Sequence, residues 1–182
     1  MIKDYSPFFN ENLISSIKLI ENKKWMDGLD VVEADRSFSY DSKSYNFSFA
    51  NDPFISYTRL DASNCFSRKL LRVTRKFPYF KYSADKWKNE SIQRNSLLAN
   101  VTPSSSDVLI LSDIDEIINP IYSDYILNEV ANHGIVTIKL HFTMFYFNLR
   151  VTNWGGPSDY SYRVFIMTGE YYNKYLKHSS DR

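Results

Sequence analysis

Apolar positions along the chain recur mostly with period two or near three and a half, and VLILS (108–112) breaks both rhythms with four in a row. In NENLISSIKLIENKK (10–24), Leu13, Ile14, Ile17 and Ile20 fall at helical spacing behind Asn10 or Asn12 as N-cap. That spacing predicts an amphipathic helix with one buried stripe. After a short start at Ile2 to Tyr5, GLDVVEADRSF predicts a strand on Leu29, Val31 and Val32 that ends in the acidic pair Glu33 and Asp35. LLRVTRKF (70–77) alternates, with Leu71, Val73 and Arg75 on one face of a strand and Arg72, Thr74 and Lys76 on the other. From Ser83 the period lengthens: SADKWKNESIQRNSLLANV predicts a helix with a Ser cap, an acidic first turn, and Trp87, Ser91, Arg94 and Leu98 along one side. The polar turn TPSSSD leads to VLILS, whose lack of alternation predicts a strand covered on both faces. PIYSDYILNEVANHG predicts a helix opened after Pro120 and stopped at Gly134. IVTIKLHFTMFYFNLRV gives one or two further strands, and NWGGPSDY a turn.

Strands alternating with helices at this spacing predict an α/β domain with a mostly parallel sheet, and 182 residues suit one domain, 1–182. In such sheets ligands bind beyond the carboxyl ends of strands. Two acidic groups, Glu33/Asp35 and Asp113/Asp115/Glu116, fall at expected strand ends.

Composition narrows the classes of function. The net charge of +1, from 22 basic and 21 acidic residues, gives no overall field toward nucleic acid or an anionic membrane. No apolar run approaches the roughly 18 residues of a membrane span, no signal-peptide segment opens the chain, and the single Cys65 has no partner for an internal disulfide. A cytoplasmic setting is the expectation. Aromatic residues reach 16%, with 14 Tyr and 13 Phe concentrated at 77–82, 142–148 and 160–172, which suits core packing and stacking on bases or sugar rings alike.

Carboxylates at the density of SDIDEI are unfavourable unless something positive sits among them. Asp113 and Asp115 are two apart, so an extended backbone would project both to the same side of a rigid strand mount, where they can reach one Mn²⁺ or Mg²⁺ ion. Such an ion would stabilise a departing nucleoside diphosphate. An acidic, solvated turn without ligand is the plain alternative. Another is a phosphatase-like hydrolase with Asp113 as nucleophile, although that motif normally continues with a small residue and Thr or Val, where this chain has Glu116 and Ile117.

These residues resemble glycosyltransferase family 17. FFNENLISSIKLIENKKWMDGLDVVEADRSFSYDSKSYNF is similar to the family's opening pattern of Phe-x-Asn-Glu, a Leu-rich helix, an Asp before a strand, then Glu-Ser-Asn-x-Thr and a following Lys. Trp87, Glu90, Gln93, Arg94 and Asn95 resemble its W-x-x-E-x-x-Q-R-N helix, and DVLILSDIDEI its Asp-x-Asp-Glu segment. Ile118 stands where the family has Pro, Ala34-Asp35 where it has Ser-Asn, and the family's later Gly-Trp-His segment has no counterpart. An excised domain of a larger protein, or a compact relative, is therefore expected.

The resemblance implies a GT-A (Rossmann-like) fold, a mixed, mostly parallel sheet flanked by helices. It implies a nucleotide-sugar donor, with UDP, a carbohydrate or glycoprotein glycan acceptor, and Mn²⁺ (or Mg²⁺) at Asp113 and Asp115, with inversion at the anomeric carbon. Glu116 would lie beside the donor sugar or metal-bound water, Glu33 would hold the nucleoside, and Arg94 would pair with a phosphate or, alternatively, with Asp115, Glu116 or Glu33. An inverting transfer needs a base near the acceptor hydroxyl. Asp159, Glu170 and His141 are candidates by position, and Tyr146, Asn148 and Trp154 fall where the family has acceptor-side residues. A non-catalytic carbohydrate-binding relative is the further alternative.

Overall fold

The computed structural model describes residues 1–72, 80–141, 144–146, 149–151 and 160–177. In chain order they form β1 (Ile2–Phe8), α1 (Asn12–Asn22), β2 (Gly28–Ala34), β3 (Ile55–Leu60), β4 (Arg68–Arg72), β5 (Phe80–Ala84) and α2 (Lys86–Leu98). Then follow β6 (Val108–Leu111), a 3₁₀ turn (Pro120–Tyr122), α3 (Ser123–His133), β7 (Ile135–His141), β8 (Met144–Tyr146), β9 (Leu149–Val151) and β10 (Tyr160–Thr168). Helical turns at Gly169–Tyr171 and Tyr172–Leu176 end the described chain.

One six-stranded sheet, ordered β3-β2-β1-β6-β10-β7, organises these elements. β3, β2, β1 and β6 are parallel, while β10 runs antiparallel to β6 and β7 antiparallel to β10. The sheet is thus mixed and mostly parallel, with helices on both faces, as the alternating pattern predicts. The pairs β4–β5 and β8–β9 form separate antiparallel ribbons. Among the described residues no helix is long and apolar enough to cross a membrane.

Side chains alternate across β1, and its two faces meet different helices. Tyr5 joins Leu109 and Met167 in a core that Leu97, Leu98 and Tyr172 cover. On the opposite face Ile110 and Ile166 pack with Ile118, Ile126 and Val130, which brings α3 against the sheet. α3 ends as its sequence predicts, at Gly134, whose φ of +76° is a conformation that glycine adopts without the Cβ penalty.

α1 corrects the expectation drawn from periodicity. Leu13, Ile17 and Ile20 face outward, Leu13 being 79% exposed, while Ser15, Lys18, Leu19 and Asn22 point inward. The sheet beneath presents Asp4, Ser6 and Ser112, so the helix face that satisfies it must be polar. The same holds for α2, whose Trp87 is 81% exposed while Asn89 and Gln93 are buried. α2 also starts later than expected, because Ser83 belongs to β5 and Asp85 occupies the cap position. β4 starts two residues before the expected strand, whose remaining residues 73–77 lie outside the described ones. β3 has no counterpart in the sequence expectations: at the sheet edge its residues are only partly buried, which blurs the apolar alternation.

Candidate functional site

From β1 the chain builds outward through β2 to β3, then returns to add β6 on the other side of β1. The adjacent carboxyl ends of β1 and β6 are therefore a topological switch point, where connections leave in opposite directions and open a crevice. Two clefts adjoin there. The larger, about 380 Å³, runs between Arg94, Asn95 and Ser112 at its polar side and Leu98, Leu111 and Phe165 at its apolar side. The smaller, about 220 Å³, is bordered by Phe9, Phe38, Glu11 and Asp115. Pro7, Glu90, Arg94 and Asp113 border both.

The acidic segment is a turn rather than a strand extension. β6 ends at Leu111, and the backbone N–H of Glu116 donates to Asp113 O at 3.0 Å while Glu116 Oε2 accepts from the Asp113 N–H at 2.7 Å. The turn departs from the extended geometry expected of the D-x-D, and it separates the fates of its acids. Asp113 turns toward α2, where its Oδ1 meets Arg94 Nη2 at 2.5 Å. Asp115 is exposed at the rim of the smaller cleft. Glu116 borders neither cleft, and burial pushes its carboxyl above the usual glutamate range despite the Asp113 N–H. It staples the turn.

A lysine supports this turn from below. Lys18, 0% exposed, donates to Ser112 Oγ at 2.6 Å, to Asp113 O at 2.7 Å and to Glu116 O at 3.0 Å, and lies 3.0 Å from Asp4 Oδ2. Ser112 in turn donates to Asp4 Oδ1 at 2.6 Å, and Asn22 Nδ2 donates to Asp4 Oδ2 at 2.9 Å. A buried charge survives when paired and hydrogen-bonded, and Asp4 and Lys18 supply both conditions for each other. Sequence reading missed Lys18. Its signal was the spacing Ser15, Lys18, Leu19, Asn22, which is helical too but polar.

α2 brings the rest. Gln93 Nε2 donates to Phe8 O at 3.1 Å and Val32 O at 3.0 Å, tying the helix to the ends of β1 and β2. That anchor aims the next residue, Arg94, into the site. Its Nε and Nη2 lie 3.1 and 3.0 Å from Glu90 Oε1, so Glu90 and Asp113 share one guanidinium. Of the partners considered for Arg94 from sequence, neither Asp115, Glu116 nor Glu33 holds it.

Glu33 is put to a use different from nucleoside contact. It is 0% exposed and borders neither cleft. Lys43 Nζ and the Tyr57 hydroxyl each donate to it at 2.6 Å, and the N–H groups of Asn46 and Phe47 at 3.0 and 3.2 Å. It binds the loop after β2 to the sheet. Asp35 likewise accepts from the Ala62 N–H at 2.8 Å.

Of the acceptor-side candidates, Asn148, Trp154 and Asp159 lie outside the described residues, as do the side chains of Tyr146 on β8 and His141 at the end of β7. His141 pairs with Tyr160, so β7 ends and β10 begins at the same end of the sheet as Asp113. Glu170 lies at the end of the sheet away from Asp113. It follows Thr168, which pairs with Val108 at the opposite end of β6. Phe165, missed from sequence, is 40% exposed on the larger cleft between nearly sealed neighbours Val164 and Ile166.

Asp113 and Asp115 offer hard oxygen donors from one turn, one carboxylate oriented by Arg94 and one open to solvent. Among the described residues no third Asp, Glu, His or Cys joins them as a ready-made cage. As a donor type, such oxygens suit an Mg²⁺- or Mn²⁺-like cation that draws its remaining ligands from phosphate and water. Compared with known proteins, the chain matches no family model, and no curated protein matches it.

Proposed function

We propose that this protein is a metal-dependent glycosyltransferase of GT-A type, which moves a sugar from a nucleotide-sugar donor, with UDP as the nucleotide, to a carbohydrate acceptor with inversion. The observation that carries this reading is the D-x-D turn at the β1/β6 switch point, where both clefts meet on Asp113 and Arg94. A diphosphate spanning that junction would leave its nucleoside in the cleft beside Phe9 and Phe38 and its sugar in the larger cleft toward Phe165.

Asp113 and Asp115 would hold the divalent ion, which supplies stabilisation of the charge growing on the leaving diphosphate. Arg94 offers a guanidinium fork suited to phosphate oxygens. Lys18 and Glu116 hold the backbone of the turn in one shape, so it need not refold when the donor arrives. Phe165 presents an aromatic face on which the apolar side of a sugar ring can stack.

Calorimetric titration of UDP, with GDP as control and with and without Mn²⁺, tests the reading. UDP is expected to bind only with Mn²⁺. Asp115→Asn, at an exposed position, should weaken that binding about 100-fold or more, since even outer partners of a metal are worth roughly 10–100-fold. Absence of nucleotide binding under every condition overturns it, and capture of a phospho-aspartate analogue such as a fluoride complex, without tight binding of a nucleoside diphosphate, would favour the hydrolase with Asp113 as nucleophile.

Phe165→Ala provides a second check. UDP–Mn²⁺ affinity should be unchanged, while affinity for the intact UDP-sugar falls about fivefold, the equivalent of a lost ring contact of about 1 kcal/mol. Equal losses for UDP and UDP-sugar would place the nucleoside, and not the sugar, on Phe165.

A further inference from the structure

We propose that Arg94 is an exchange residue: in the free protein its guanidinium neutralises Asp113, and when a nucleoside diphosphate enters it transfers to phosphate oxygens and frees Asp113 Oδ1 for the divalent ion. The inference rests on the nucleotide-sugar reading above and concerns how this chain's own residues couple the two ligands.

The geometry has three parts. Arg94 Nη2 sits at 2.5 Å from Asp113 Oδ1, so a cation cannot reach that oxygen while the contact stands. Glu90 holds the same guanidinium through Nε at 3.1 Å and Nη2 at 3.0 Å, which gives the side chain a pivot that does not depend on Asp113. Arg94 also borders both clefts, and its side chain is 41% exposed, so it has open space on either side in which to swing about that pivot. Nη1 takes no part in these contacts.

The charges favour exchange over coexistence. Glu90, Arg94 and Asp113 sum to one negative charge, and Lys18 already meets the Asp113 carbonyl from below. A divalent ion that takes Asp113 Oδ1 on its own must displace the guanidinium from that oxygen and leave it beside a like charge. A diphosphate supplies several charged oxygens in reach of the fork, which offsets that displacement. Metal and nucleotide therefore assist each other through Arg94 as well as through direct contact, which is a coupling free energy between two ligands.

Calorimetry on the full chain measures it, with Mn²⁺ alone, and with UDP at zero and saturating Mn²⁺, for wild type, Arg94→Gln and Glu90→Gln, each checked by thermal melting. Arg94→Gln should bind Mn²⁺ alone about threefold or more tightly than wild type, yet lose about tenfold of the gain in UDP affinity that Mn²⁺ confers, within the usual range of such couplings. Glu90→Gln keeps Arg94 and leaves Asp113 as its sole anionic partner, so Mn²⁺ alone should bind more weakly than to wild type. Unchanged or weaker Mn²⁺ binding by Arg94→Gln, or a gain fully preserved in it, overturns the exchange. Tighter Mn²⁺ binding by Glu90→Gln also overturns it and remains decisive should Arg94→Gln fail to fold. If wild type binds UDP well with Mn²⁺ but either variant misbehaves in these ways, only the exchange falls; if wild type binds no UDP at all, the functional reading falls with it.

Discussion

Lys18→Met is expected to cost the fold about 3–5 kcal/mol, the usual penalty for removing one partner of a buried ion pair. The methionine fills nearly the same space, so the loss is electrostatic. Asp4 would remain 2% exposed with its charge uncompensated, and the carbonyls of Asp113 and Glu116 would lose their shared donor. Urea denaturation of Lys18→Met against wild type measures the cost directly. The double variant Lys18→Met/Asp4→Asn should lose less than the sum of its parts, because each single change strands the other partner, and contacting pairs couple by roughly 0.5–3 kcal/mol. A single-variant cost below about 1 kcal/mol would show that water or Asn22 takes over the ammonium's role. Where enough Lys18→Met folds to be assayed, UDP binding with Mn²⁺ should be weaker, since the turn carrying both aspartates loses one of the two side chains that hold it.

The architecture was legible where burial is apolar on both sides. VLIL became the inner strand β6, and the Pro120 and Gly134 signals marked the boundaries of the helical segment around α3. The position of the acids was legible as well, because acids after a strand whose both faces are covered can only sit at its open end. Legibility failed where the interior is polar. α1 and α2 turn Lys18, Asn22, Asn89 and Gln93 inward, and a reading that equates buried with apolar assigns both helices the wrong face. Side-chain direction beyond the last residue of β6 was equally hidden: a two-residue spacing means a shared face only while the chain stays extended, and the Asp113–Glu116 turn ends that. Phe165 was invisible for a different reason. Its alternation with Val164 and Ile166 marks the face it lies on, but its exposure depends on how far α2 and the C-terminal turns extend over that face.

Glu33→Gln separates fold from function at the second acidic group. Every partner of Glu33 is a donor: Lys43 Nζ, the Tyr57 hydroxyl and the N–H groups of Asn46 and Phe47. An amide of the same shape offers one oxygen and turns its own NH₂ toward donors, so Lys43 and part of the loop lose their acceptor. A loss of about 3–5 kcal/mol is expected, because Lys43 is itself nearly buried and keeps its charge. Tyr57 reports the change independently. Burial first, and then the hydrogen bond and charge of Glu33, push its hydroxyl up to about 12. Ultraviolet titration of Glu33→Gln should find it lowered but still above an ordinary tyrosine, since burial remains. Because Glu33 borders neither cleft, UDP affinity with Mn²⁺ should be little changed in the folded fraction of the variant. The opposite pattern, intact stability with nucleotide binding lost, would return Glu33 to the nucleoside-holding role that the sequence pattern suggests and would mean that the loop it ties down opens when the donor binds.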